Sequence, residues 1–374
     1  MTQNTHFDLL VVGAGIVGLA HAWMGARQGQ RVAVVDRHHR CVGASIRNFG
    51  FVTVTGQGAG ETWRRARRSR DLWAELAPQA GIQVVHKGLW LLAQRPAAMA
   101  VLEAFAGTYM GAECTLHSAA QAAELAPELR TDGAAGALYS PHELRVESRE
   151  ALPQFAAWLA RAHGVQFFWG EEVTHVAAPF VQTPQRELQA ERVVICPGTE
   201  LTGVAAPHLQ QHGMRLTRLQ MLRVRPEPGF RLHAAVMSDL SLVRYAGYAA
   251  LPEAAPLLAQ LREEVPQSLD DGIHLIAVQS ADGTLVVGDS HHDHATPDPF
   301  GSEAVDRRIL QHLRETLQLG QCERVERWVG YYPTGAGRDC VIEAPNATTR
   351  VVVVSSGTGA STAFGIAEDV FANW

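Results

Sequence analysis

Apolar residues along this chain fall into three patterns, each pointing to a different kind of element. Phe7 to Val12, Arg31 to Val35 and Val351 to Val354 are short branched runs without polar alternation, as expected of strands buried on both faces. HKGLWLLA, MRLTRLQMLRVRP, SLVRYAGYAAL, GIHLIAVQ and GTLVVGD are set among turn signals such as Asp271-Gly272 and Asp282-Gly283 and read as strands of an antiparallel sheet. Ile16 to Gln28, Arg149 to His163, Ser302 to Gln318 and the stretch from about Ala363 have helical character. There is no internal repeat and no low-complexity tract beyond alanine enrichment.

Between the first strand and the first helix lie Gly13, Gly15 and Gly18, with Ala14, Ile16 and Val17 between them. At this spacing the first glycine permits a tight turn, the second lets a pyrophosphate approach the backbone, and the third lets the helix pack closely. The phosphates then meet a helix N-terminus. The second strand ends in Asp36, eighteen positions after Gly18, where a carboxylate can accept hydrogen bonds from ribose hydroxyls. The arrangement implies a dinucleotide and leaves FAD and NAD both open.

With 374 residues, 47% of them hydrophobic and 19% charged, the chain can bury a sizeable core and divides into two substructures. The net charge of -6 excludes a dominant nucleic-acid footprint. The densest basic stretch, Trp63 to Arg70, reads with Leu72, Trp73 and Leu76 as the solvated face of an amphipathic helix. No run of about 18 apolar residues could span a membrane. The polar start MTQNTHFD leaves no room for a signal peptide, so a cytoplasmic location is expected. Five cysteines (Cys41, Cys114, Cys196, Cys322 and Cys340) lack ligand-like spacing and read as reduced structural thiols.

Directly after Asp36 comes the segment RHHRCVGASIRNFGFVTVTGQ, whose first residue, Arg37, is an expected cofactor contact and in which small residues surround Ser45, Arg47 and Asn48. This resembles the FAD-wrapping loop of the D-amino-acid oxidase, glycine oxidase and sarcosine oxidase superfamily. The resemblance implies that Ala44, Ser45, Asn48, Phe49 and Gly50 line FAD, and that Val173 in WGEEVTHV contacts the adenine through its backbone. It also implies that Cys196, Pro197 and Gly198 in RVVICPGTE close over the dinucleotide, and that the C-terminal segment RVVVVSSGTGASTAFGIAEDVF returns to the flavin, with Gly335 among the cofactor residues. In that last segment Gly357, Thr358, Gly359, Ala360, Ser361 and Thr362 form a small-residue loop opening a helix. A helix N-terminus suits the flavin edge that gains negative charge on reduction, although a second phosphate loop or plain packing would use the same residues. RNFG, TGQ and SSGTGASTAFGIAE are further similar to FAD oxidoreductases associated with phosphonate catabolism.

The implied fold is α/β, with a discontinuous Rossmann-like FAD-binding domain of residues 1–85, 143–213 and 326–374. An α+β substrate domain of residues 86–142 and 214–325 would carry a mixed or antiparallel sheet. Amino-acid oxidases of the superfamily place a carboxylate-gripping arginine before the C-terminal flavin strand; in WVGYYPTGAGRD, Tyr332 stands there. A tyrosine donates one hydrogen bond and cannot neutralise a carboxylate. Where the sarcosine oxidase branch has a flavin-tethering cysteine, Tyr331 and Tyr332 occur, so FAD is expected to be non-covalent. Arg47, Arg244 with Tyr245 and Tyr248, Arg338, and the run Asp289, His291, His292, Asp293, His294 could serve an anionic substrate or be surface charge. No metal is expected, because that run of neighbours lacks the convergence of a metal site.

The implied activity is oxidation of the C–N bond of a small amine, an aminophosphonate related to 2-aminoethylphosphonate, by hydride transfer to flavin N5, with Tyr332, Arg47, His291 and Arg338 as substrate-side residues. The electron acceptor would be oxygen or another molecule. The alternatives are a glycine- or sarcosine-like amino acid as substrate, an NAD-dependent dehydrogenase, and an inactive flavin scaffold.

Overall fold

The computed structural model describes residues 6–335 and 337–374, so the polar residues 1–5 and position 336 of the WVGYYPTGAGRD stretch lie outside it. Two mixed sheets organise the chain. The first has eight strands, and its main path runs Cys340–Asn346, Thr349–Val354, Glu187–Ile195, His6–Val12, Val32–Asp36, Gln166–Trp169. From Thr349–Val354 to Gln166–Trp169 the neighbours are parallel. The unalternated apolar runs are therefore the central strands, covered on both faces. On one face the helices Ile16–Arg27, Glu61–Ala80, Ser148–His163 and Gly359–Ala372 meet in a core that includes Trp23, Trp73, Phe155 and Phe364. Leu10, Val35, Val193 and Val353 face a second core on the other side.

The basic helix Glu61–Ala80 turns its arginines to a neighbour rather than only to water. Arg64 and Arg65 both reach Asp369 (2.6 and 2.7 Å), and Arg68 reaches Glu368 (2.6 Å), so its face is paired to the C-terminal helix.

The second sheet has ten strands. Its main path runs His292–His294, Arg215–Arg225, Leu285–Gly288, Ile276–Gln279, Ala235–Ser238, Val84–Ala93, Gly136–Val146, Phe51–Val52. Its described pairings are antiparallel except that of Ala235–Ser238 with Val84–Ala93. Glu323–Thr334 pairs along the whole of Arg215–Arg225, and its last residue, Thr334, bridges to Ser356 beside the first sheet.

One expected strand is absent. SLVRYAGYAAL forms the 3-10 turn Asp239–Val243 and the short helix Ala246–Ala249. Val243 is its only β-branched residue, and Ala246, Gly247, Ala249 and Ala250 favour compact backbone over a pleated strand. Tertiary packing completes the choice: Gly247 N–H donates to the Gly56 carbonyl at 2.8 Å, and the fully buried Tyr248 ring meets Phe105 at 4.6 Å. No helix among the described residues is long and apolar enough to cross a membrane.

Candidate active site

A cavity of about 470 Å³ runs from the glycine loop to the second sheet. At its first end the backbone is packed so tightly that side chains are excluded. Gly13 has φ +101°, and a Cβ there would lie 2.3 Å from the Cys196 carbonyl oxygen; one at Gly18 would lie 1.9 Å from the Gly13 oxygen. The Ala14 N–H donates to the Asp36 carboxylate at 2.7 Å, tying the loop to the end of the next strand. Ser45 Oγ accepts the Ile16 N–H at 2.9 Å, and no side chain caps the helix at Gly15. This cradle, narrow enough for backbone to meet a phosphate and opening at a helix N-terminus, fits a dinucleotide.

The second wall is the loop from Ala44 to Gly50. Asn48 lines the cavity but spends its amide locally: Nδ2 donates to the carbonyls of Ala44 (3.0 Å) and Ser45 (3.1 Å), and Oδ1 accepts the Gly50 N–H (2.7 Å). Gly50 has φ +66°, and any Cβ would strike the Val146 carbonyl at 1.8 Å. Arg47 is held by Nε to the Val42 carbonyl at 2.9 Å, while its own carbonyl accepts Trp328 Nε1–H at 3.0 Å.

The third wall is the C-terminal loop. Gly357 has φ +73°, and a Cβ there would meet the Tyr332 ring at 3.0 Å, so tyrosine and loop lie in direct apposition. Thr53 N–H donates to Ser361 Oγ (2.8 Å), Trp73 Nε1–H to the Ala360 carbonyl (2.9 Å), and Thr362 Oγ1 to the Thr358 carbonyl (3.0 Å).

The expected cofactor residues Gly15, Ile16, Val17, Gly18, Ala44, Ser45, Asn48, Phe49, Cys196, Gly198 and 357–361 all line this one cavity. Gly13, Ala14, Asp36 and Gly50 shape it from behind. Val173 is buried in the core behind the first sheet, Pro197 and Thr362 stand outside the wall, and Gly335 is exposed. Arg37 pairs with Glu200 at 2.7 Å and locks the strand end to the turn after Ile195. Burial raises the Cys196 thiol far above its ordinary range, so it is an inert packing group.

The opposite end of the cavity holds Arg244, Tyr245, His274, Asp289, His291 and Tyr332. Tyr332 and Arg47 reach the cavity as expected, and so does His291. Arg338 does not: its residue is exposed and outside the wall, and its backbone carbonyl accepts Ser355 Oγ at 2.6 Å. The Tyr332 hydroxyl accepts from Arg244 Nη2 at 3.3 Å, and burial raises its pKa. Burial drives His291 down to about 3, beyond what the Asp289 charge restores, so its ring is neutral. Burial alone would raise Asp289, but the polar and charged groups around it, Arg244 among them, hold its carboxyl below the ordinary range. The histidine run is divided by strand alternation: His292 turns to Asp271 at 3.3 Å and Asp293 accepts Thr217 Oγ1–H at 2.6 Å, away from Asp289. His274 was missed by the motif reading; its only sign is an imidazole placed inside the apolar run GIHLIAV.

A strand, glycine turn, helix and acidic strand end, closed by a second helix N-terminus and facing a cavity under a separate sheet, define a dinucleotide-dependent oxidoreductase. Residues 8–373 match the family model described as DAO, FAD dependent oxidoreductase, and the chain belongs to that family, with FAD as its cofactor. The fold is similar to glycine oxidase from Geobacillus kaustophilus, with TM-score 0.79 and 20% identity, covering 98% of this chain and 94% of that one. L-alpha-glycerophosphate oxidase from Mycoplasma pneumoniae with FAD bound gives TM-score 0.75 and 16% identity, with coverage of 99% and 95%. Iminodiacetate oxidase from Chelativorans sp. BNC1 gives TM-score 0.71 and 18% identity, with coverage of 96% and 93%. A search of curated protein sequences finds no significant match.

Proposed function

We propose that this flavoenzyme oxidises the C–N bond of a small amine that carries an oxyanion, an aminophosphonate related to 2-aminoethylphosphonate. The observation that carries the reading is the Arg244 and Tyr332 pair. The Tyr332 hydroxyl is the one hydrogen-bond partner of the Arg244 guanidinium among the described residues, so most of its donors are free for an anion at the cavity. A tyrosine in place of a fixed arginine gives a weaker fit to an α-carboxylate and leaves Arg244 as the anion seat at the cavity. Glycine oxidase and iminodiacetate oxidase, which share the fold, act by name on small amines that bear carboxylates.

Bound FAD supplies a two-electron acceptor. The protein's part is to hold the amine against it: Arg244 and Tyr332 orient the anionic end, Arg47 adds positive charge beside the flavin loop, and the neutral His291 ring competes for no anion. Residues 1–85, 143–213 and 326–374 are proposed as the cofactor part and 86–142 with 214–325 as the substrate part, the strand Gly136–Val146 crossing between them.

The test is a peroxide assay, with an artificial electron acceptor run in parallel, against glycine, sarcosine, D-alanine, 2-aminoethylphosphonate and its N-methyl and 1-hydroxy relatives. Turnover of an aminophosphonate with kcat/KM at least tenfold above every amino acid is expected. Preference for glycine, sarcosine or D-alanine would overturn the reading.

A further inference from the structure

We propose that His274, Asp289 and His291 form a binding site for a divalent transition-metal ion at the substrate end of the cavity. The three residues come from different places. His274 precedes the strand Ile276–Gln279, Asp289 follows its partner Leu285–Gly288, and the pairing of Ile276 with Gly288 sets the two side by side. Leu275 adopts φ +28°, which breaks strand alternation beside His274. One nitrogen or oxygen from each residue lies within 4.8 Å of the others.

Three details distinguish this cluster from an ordinary buried polar contact. First, His291 is anchored as a ligand would be: its backbone N–H donates to the Asp271 carbonyl at 2.8 Å, and Nδ1 donates to the Gly272 carbonyl at 2.9 Å. That bond assigns the ring proton to Nδ1 and leaves Nε2 with its lone pair, the usual second-shell arrangement of a metal-binding histidine. Second, Nε2 lies 3.5 Å from Asp289 Oδ2, and two acceptors at that separation need a cation, a proton or a water between them, of which a metal ion also satisfies the third detail. Third, His274 Nε2 is 3.0 Å from Asp289 Oδ1 without an aligned N–H, so Oδ1 is buried and unsatisfied, as is His274 Nδ1.

The spacing is that of a coordination sphere. Bonds of about 2.1 Å place neighbouring ligands about 3.0 Å apart in an octahedron and 3.4 Å apart in a tetrahedron. His274 Nε2 lies 3.0 Å from Asp289 Oδ1 and His291 Nε2 lies 3.5 Å from Asp289 Oδ2, so one ion can be reached by both imidazoles and by the carboxylate through its two oxygens. Two imidazoles and one carboxylate favour zinc or ferrous iron over magnesium or calcium. Three protein ligands leave coordination positions open toward Tyr332, whose ring centroid is 6.0 Å from that of His291. Arg244 is close enough to act electrostatically on Asp289 and would repel a bare cation. An anionic substrate oxygen shared between ion and guanidinium removes that repulsion; this part rests on the substrate reading above, whereas the metal site does not.

The experiment uses untagged, FAD-loaded protein. It measures bound metal by elemental analysis, Zn2+ affinity by calorimetry after EDTA treatment, and methylphosphonate binding by the flavin absorbance change. About one equivalent of zinc or iron, or micromolar or tighter Zn2+ binding after EDTA treatment, is expected. Asp289→Asn and His274→Ala should each weaken Zn2+ binding at least a hundredfold with FAD content unchanged, and His292→Ala should leave it unchanged. Methylphosphonate affinity should fall at least tenfold on metal removal in the wild type. Less than a tenth of an equivalent together with no Zn2+ binding by the folded holoprotein would overturn the site. So would loss of propylamine binding in Asp289→Asn without any metal effect, which would make the cluster a seat for ammonium. Metal binding with unchanged methylphosphonate affinity would overturn only the substrate contact.

Discussion

Replacing Gly18 by alanine isolates the contact on which the cofactor cradle depends. The new Cβ would stand 1.9 Å from the Gly13 carbonyl oxygen, 3.0 Å from its carbon and 3.3 Å from a Val11 methyl. A carbon needs roughly 3.2 Å from an oxygen, so the helix start must retreat from the loop by more than about 1 Å. Both obstacles nearest the Cβ are backbone atoms, and no rotamer change relieves them. Overpacking of this kind costs about 1–3 kcal/mol. The strain falls on the loop proposed to hold the pyrophosphate, so FAD affinity should weaken by about 5- to 150-fold. The control is Gly107→Ala, at φ −75°, where the nearest atom would be 3.4 Å away. Titration of deflavinated protein with FAD, followed by flavin fluorescence, reads the difference. A folded Gly18→Ala protein that binds FAD within twofold of wild type would refute the reasoning.

Other consequences can be checked directly. Burial holds His21 down to about 4 and His86 down to about 3, from an ordinary value of 6.5. Both rings therefore stay neutral in the folded protein while the unfolded chain takes up protons, so stability should fall as pH drops from about 6.5 toward 4, by up to about 2.7 kcal/mol per unit for the pair. His86→Gln keeps an acceptor for the Gln279 N–H and should lower the slope measured in urea denaturation between pH 4.5 and 6 by up to about 1.4 kcal/mol per unit; an unchanged slope would count against it. Asp369→Asn removes the shared partner of Arg64 and Arg65, and because Arg64 is 45% exposed the loss should be only about 1 kcal/mol, read as a thermal midpoint lowered by a few degrees. Tyr332→Phe deletes the hydroxyl beside Arg244 and should raise KM for an anionic amine about three- to tenfold with little change in kcat. Heat denaturation followed by filtration should release all of the flavin; colour retained on the polypeptide would show a covalent tether.

The cofactor half was legible because its chemistry is written in local backbone requirements. Gly18 must be glycine because a Cβ would strike Gly13 in the same turn, Gly13 has a local φ of +101° as well as a clash with the distant Cys196 carbonyl, and Asp36 sits where the strand ends. Other assignments required three dimensions. Asn48 has the residue type of a ligand, yet its amide is consumed by its own loop. Arg338 follows a glycine turn in sequence and points out of the cavity. Ser241 to Leu251 has apolar spacing that a strand could use, but the backbone of Gly56 captures Gly247 and sets a helix. Asp289 and His291 stood in the visible histidine run, but their partner His274 lies a strand pair away, and His292 and Asp293 of the run turn to other partners.

The long strand Glu323–Thr334 has a consequence for how such an enzyme changes substrates. Its backbone is bound along Arg215–Arg225, its Trp328 indole is hydrogen-bonded to the flavin loop, and its far end touches the C-terminal loop. Position 332 is thus an exchangeable socket on a fixed rail. A different side chain can be fitted there without re-registering the strand provided it leaves room for Gly357, so under the proposed role of Tyr332 what the cavity accepts can change one residue at a time while the backbone frame stays in place.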